Sequence, residues 1–233
     1  MSALTAAPIL LAAHGVHKTF GQGALATSVL DDANLSIRAG ELTLLMGPSG
    51  SGKTTLISIL AGLMRASAGT VELCGQMISA LDESAVARVR RERLGFVFQT
   101  YNLFPALSAQ DNVALAFRFR GEPNRKEARR LAAAALVSVG LGQRLGYRPS
   151  DLSSGQKQRV AIARALAGAP PLIIGDEVTA ALDTQSAMSV MKILRARVTP
   201  SSAILLVTHD QRLARFADRI FALEDGRVRE ERS

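Results

Sequence analysis

"ELTLLMGPSGSGKTTLISIL", residues 41–60, runs from an apolar stretch through a turn of glycine, proline and serine into apolar residues at helical spacing. "ELTLLMG" alternates little, as a strand buried on both faces does. A helix is expected from near Lys53, with Leu56, Ile59, Leu60 and Leu63 on one face. Between them lies Gly47-Pro48-Ser49-Gly50-Ser51-Gly52-Lys53-Thr54, followed by Thr55, which matches G-x-x-x-x-G-K-[ST]. The spacing has a chemical reason. Glycines allow a tight turn whose backbone N–H groups converge on phosphate oxygens. The N-terminus of the following helix adds partial positive charge. At these positions Lys53 reaches the β- and γ-phosphates of a nucleotide, and the Thr54 hydroxyl ligates Mg²⁺.

Bulk properties bound the rest. The 233 residues are 48% hydrophobic and 21% charged, a globular balance that suits one large domain or a domain with a subdomain. One cysteine, Cys74, excludes a disulfide within the chain and fits a reducing compartment. No run of 18 apolar residues reads as a transmembrane helix. The opening "MSALTAAPILLAAHGVHK" lacks a basic n-region, so residues 1–7 are expected to be a disordered start before a first strand rather than a signal peptide. The net charge of +8 would suit nucleic acid or an anionic membrane face. The basic residues are scattered, however. The clusters "RVRRERLG" and "RKEARR" carry no interleaved aromatics, so no base-stacking platform forms, and they read as solvated helix faces.

Further along, "GTVELCG" (69–75), "LGFVFQ" (94–99), "PPLIIGDE" (170–177) and "SAILLVTHD" (202–210) read as strands. "RIFALEDGRV" (219–228) reads as a hairpin. From about 106 to 168 the pattern is helical, broken at "GEPN" and at "GLGQRLGYRPSDLSSG". Strand and helix alternate at both ends around a helical insert. The expected fold is therefore α/β, a largely parallel sheet with a helical subdomain.

Two more stretches carry chemistry. Asp176 and Glu177 end the strand "PLIIGDE", and ligands of parallel sheets sit at the carboxyl ends of strands. Asp176 can hold Mg²⁺ and Glu177 can polarise a water. The alternative is an acidic turn, which the phosphate loop upstream makes the weaker reading. In "DLSSGQKQRVAIARAL" (151–166), Ser153 and Gln156 form a capping-box pattern at the start of a helix. The same helix N-terminus is an anion site, and both readings stand.

The order of "GPSGSGKT", "FVFQ", "LSSGQKQRVAIARAL", "LIIGDEVTAALD" and "LLVTHD" resembles the ATP-binding cassette of ABC transporters over about residues 8–230. The resemblance is nearest to the lipoprotein-release and macrolide-exporter branch. Within it, "FGQGALATSVLDD" and "YNLFPALSAQDNV" look most like DevA-type exporter ATPases. It implies a single P-loop NTPase domain spanning 8–230. That domain would have an ABC ATPase core, an N-terminal antiparallel β subdomain and a helical signature subdomain at about 100–160. It implies a site placed residue by residue. Phe20 would stack on adenine, and Gln99 would sense Mg²⁺ and the attacking water. Ser153, Ser154, Gly155 and Gln156 would bind the γ-phosphate held by a second subunit. Asp183 would lie in the loop that crosses between subunits, and His209 would contact the γ-phosphate. The segment from Tyr101 to Leu107 would face the membrane partner, with ordinary core packing the alternative for Tyr101 and Phe104. His14 and His17 match no motif and read as surface or strand residues. ATP and Mg²⁺ are the implied cofactors. The implied partners are a second, identical ATPase subunit, a membrane permease and a periplasmic adaptor. No nucleic acid is expected, and the chain would sit peripherally at the cytoplasmic face of the inner membrane.

Ser154 stands where glycine is common in the family, and Val178 stands where proline is common. Glycine lets a backbone approach phosphate closely, and proline fixes φ. Both departures put the size of an ATPase rate in question while removing no catalytic group. Two other classes remain. A cell-division or other regulatory cassette would act on a membrane partner without transport. Cassettes of translation and DNA repair usually carry two copies or a long insertion, and this chain shows neither.

Overall fold

The computed structural model describes residues 7–231, so nearly all of the expected disordered start at 1–7 lies outside the described residues. Two sheets organise the chain. The first is antiparallel, in the order β2-β1-β4-β5, built from β1 (Ile9–Phe20), β2 (Thr27–Arg38), β4 (Ala68–Leu73) and β5 (Gln76–Met77). The second runs β10-β9-β3-β8-β7-β6, with β3 (Leu42–Met46), β6 (Leu94–Val97), β7 (Leu172–Asp176), β8 (Ala203–Val207), β9 (Arg219–Glu224) and β10 (Arg227–Glu231). Its pairs are parallel except β9 with β10, the hairpin expected at the C-terminal end.

The parallel strands explain why "ELTLLMG" alternates so little. Both faces are covered, and successive side chains feed two different cores. Leu45, Ile174, Leu205 and Val207 join a core shared with the antiparallel sheet and α1 (Lys53–Leu60). Leu42, Leu44, Ile173, Ile204 and Leu206 join a core beneath a helical layer. That layer comprises α3 (Ala109–Phe119), α4 (Arg125–Ser138), α5 (Ser154–Ala165) and α6 (Thr184–Arg195). Each of these helices starts on a side-chain cap, from Ser108, Asn124, Ser153 and Asp183 respectively.

Two details depart from expectation. Helix α1 ends at Leu60, and Leu63 lies beyond it, 43% exposed. Gly62 adopts φ +65°, which closes the helix, and the Leu63 N–H returns to the Ser58 carbonyl. A further helix, α2 (Glu83–Arg93), contains most of the "RVRRERLG" cluster. Val89 is its one buried residue, so its arginines do form a largely solvated face.

Candidate nucleotide site

The phosphate loop joins β3 to α1 at the carboxyl edge of the parallel sheet. Its backbone is shaped by close approach. A Cβ on Gly47 would lie 2.4 Å from the Leu223 carbonyl oxygen, and Gly52, at φ +98°, presses against Val29 of β2. Ser49, Gly50, Gly52, Lys53, Thr54 and Thr55 line a cavity of about 600 Å³ together with Val29, Gln99, Glu177 and His209.

Lys53 is buried, and its Nζ donates to the Gly47 carbonyl at 2.9 Å and the Pro48 carbonyl at 2.6 Å. An ammonium has three donors, so one remains for a phosphate oxygen. No carboxylate forms an ion pair with Lys53 among the described residues, which leaves its charge free to act on an anion. The Ser51 hydroxyl is buried without a partner in the same loop.

Asp176, at the end of β7, accepts from the Thr54 hydroxyl through Oδ2 at 3.1 Å, while its Oδ1 is buried with no partner. Burial pushes the Asp176 pKa up, partly offset by the Thr54 hydrogen bond. An unpaired buried carboxylate oxygen beside a hydroxyl fits a hard divalent cation. Among the described residues no three His, Cys, Asp or Glu side chains converge as a metal cage.

Glu177 occupies the left-handed region at φ +44°, and its N–H is fixed to the Val207 carbonyl at 3.0 Å. A non-glycine residue there costs about 1–2 kcal/mol, which the surrounding contacts must offset. The outcome is a carboxylate that meets two partners from the loops after β6 and β8. Its Oε2 accepts from Gln99 Nε2 at 3.3 Å, and its Oε1 lies 3.1 Å from His209 Nδ1. With Glu177 ionised, Nδ1–H donates and Nε2 is left for another group. Val178 is almost fully buried and packs over Gly175, so packing holds this turn without a proline.

The other expected site residues lie apart from this cluster. Phe20 ends β1, 42% exposed, with Lys18 Nζ 5.0 Å from its ring centre, and it does not line the phosphate cavity. Ser153 and Gln156 form the expected capping box at α5, with Gln156 N–H to Ser153 Oγ at 3.3 Å and Ser153 N–H to Gln156 Oε1 at 3.0 Å. Ser153 and Ser154 are exposed, and none of residues 153–156 lines the cavity. Asp183 caps α6 through the Ser186 N–H at 2.9 Å, and hydrogen bonds to Ser186 lower its pKa. Tyr101 packs against the helical-layer core, while Phe104 is 52% exposed. His14 and His17 lie on β1, and His17 Nδ1 approaches Asp31 at 3.4 Å. Val29 is the cavity residue that the motifs missed; a valine in a strand carries no signal that separates it from core.

A family model described as ABC transporter matches residues 30–180. The macrolide export ATP-binding/permease protein MacB 1 of Yersinia pestis is 42% identical over 94% of this chain and 34% of its own length. The MacB of Brucella melitensis is 44% identical over the same shares. The chain belongs to the ABC transporter family. It spans about a third of the length of these curated relatives. Among solved structures, the dimeric ATP-binding cassette MJ0796 bound to ADP and Pi superposes on this ABC cassette with a TM-score of 0.89. It is 39% identical, over 95% of this chain and 98% of that one. The macrolide-export names agree with the wider branch expected from the motifs. The narrower DevA-type likeness rests on the quoted motifs alone.

Proposed function

We propose that this chain is the ATP-hydrolysing part of an ABC exporter. The observation that carries the reading is the convergence of Lys53, Thr54 and Asp176 with Glu177, Gln99 and His209 around one cavity. ATP lies with its phosphates along residues 47–55 and its base toward Phe20. Lys53 uses its free donor on the β- and γ-phosphates. When bound, Mg²⁺ neutralises charge on those phosphates; Thr54, Asp176 and Gln99 are the residues that would hold it. Glu177 accepts a proton from the attacking water, a contribution of roughly 10²–10⁴ in rate. His209 keeps the carboxylate oriented and reaches the γ-phosphate with its other nitrogen.

Ser153 and Ser154 are exposed and none of residues 153–156 lines this cavity, which leaves them free to serve a second cassette. Two copies would sandwich two ATP molecules, each γ-phosphate also touching Ser153–Gln156 of the other copy. Closure would drive a membrane permease at the cytoplasmic face, with a periplasmic adaptor completing the exporter. No helix among the described residues is long and apolar enough to cross a membrane, so the spanning part must come from elsewhere. The test is the solution mass of Glu177→Gln with and without MgATP. A monomer that becomes a dimer on ATP supports the sandwich; a chain that binds no ATP sinks the reading.

A further inference from the structure

Two arginines of the helical layer reach across to the backbone of the β6 segment. Arg120, capping α3, donates to the Leu94 carbonyl at 2.6 Å and the Glu92 carbonyl at 3.2 Å, where β6 begins. Arg164, in the last turn of α5, donates to the Tyr101 carbonyl at 2.7 Å and to the Asn102 carbonyl. Between these anchor points run β6 and Gln99.

The second anchor holds an unusual backbone. Tyr101 and Asn102 are consecutive non-glycine residues in the left-handed region, at φ +62° and +47°. Tyr101 costs about 1–2 kcal/mol there, while asparagine tolerates the region better, so the turn still needs support from outside itself. Its internal bonds are short-range, from the Tyr101 N–H to Phe98 at 3.2 Å and the Asn102 N–H to Thr100 at 2.7 Å. The guanidinium supplies two charge-assisted bonds from one planar fork to two adjacent carbonyls, a geometry that lysine lacks.

We propose that Arg164 is a positioning residue for Gln99, clamping the left-handed turn two residues beyond it and so holding the Gln99 amide against Glu177. This rests on the ATPase reading above. The amide sits 3.3 Å from Glu177 Oε2, at the edge of a hydrogen bond, so a small displacement of the turn removes the contact. Arg120 is the internal control. It bridges the same helical layer to the start of β6, at the end of this segment away from the site.

The test compares steady-state ATP hydrolysis, melting temperature and amide hydrogen exchange in the wild type, Arg164→Ala, Arg164→Lys and Arg120→Ala. A misplaced catalytic group of this kind costs about 10²-fold, so Arg164→Ala should lose about that in kcat with KM little changed. Arg164→Lys restores the charge without the fork, and should recover the melting temperature but little of kcat. Arg120→Ala should lower the melting temperature as much as Arg164→Ala while keeping kcat within about threefold. Amide exchange at residues 98–104 should quicken in both Arg164 variants, with β7 and β8 unchanged. Equal kcat losses in Arg164→Ala and Arg120→Ala, or unchanged exchange at 98–104, would overturn the proposal. Should Arg164→Ala not fold, Arg164→Lys decides on the same two readouts. A wild type without ATP turnover sinks the ATPase reading instead, and the exchange comparison alone then decides the clamp.

Discussion

Ser153→Ala separates the two roles that one short stretch can play. The substitution removes an acceptor that meets the Gln156 N–H at 3.3 Å, a long bond on an exposed residue. The reciprocal bond from the Ser153 N–H to Gln156 Oε1 at 3.0 Å uses backbone and survives. Cap removal costs about 1 kcal/mol in general, and the length and exposure of this bond place it at or below that figure. For a domain of this size, about 1 kcal/mol lowers Tm by roughly 2–4 °C. A lost hydrogen bond to a transferring phosphoryl group acts on another scale, about 10²–10³-fold in kcat. The two roles therefore differ by their readouts rather than by degree. Thermal melting of the variant should move by no more than a few degrees, while ATP turnover by the assembled dimer should collapse. Full turnover with a lowered Tm would refute the trans-phosphate role and leave a helix cap only. Intact turnover with an unchanged Tm would likewise refute the trans-phosphate role and put the cap well below about 1 kcal/mol.

Asp176→Asn should abolish turnover without lowering Tm in the absence of nucleotide. Burial raises the pKa of this carboxylate, so its charged form costs stability at neutral pH, and an uncharged isostere relieves that cost; a fall in Tm would contradict this. Asp218 behaves in the opposite sense. Burial alone would raise its pKa, but the Arg195 ion pair and the Leu42 N–H at 2.8 Å outweigh it and hold the pKa below the usual carboxylate range. A depressed pKa gives stability that is present above the unfolded pKa of about 3.9 and lost as pH falls through the folded value. Denaturant titrations should therefore show Asp218→Asn less stable than wild type by a steady amount above about pH 5, with the gap shrinking as pH falls below about 4; a constant gap at every pH would rule this out.

The phosphate loop, the buried strands and the Ser153 cap were legible in sequence because each depends on near neighbours. The parallel strands read as buried because their alternate residues feed two cores rather than one core and water. Within the antiparallel sheet β1 and β4 were legible as strands, but their pairing with β2 came only through family resemblance, since β1 pairs β2 through repeated register shifts that blur a period of two. Helix α2 was easy to miss because it buries a single residue. The contacts that make Glu177 more than an acidic turn come from residues 78 and 32 positions away in the chain. No local pattern encodes them. Val29 and Arg164 escaped for the same reason: a strand valine and a helix arginine acquire their roles only when distant segments meet.

The position of β3 between β8 and β9 has a consequence for how the cassette is made. Leu45, two residues before the phosphate loop, is paired to Val207 on one side and Phe221 on the other, and Gly47 lies against Leu223. During synthesis the segment carrying Lys53 emerges early but cannot be framed until β9 has followed it. At about 5–20 residues per second that interval is roughly 10–35 s. Until β8 emerges, this buried strand has neither of its neighbours, and until β9 follows it has only one, so the phosphate loop is among the first functional segments synthesised and among the last to take shape.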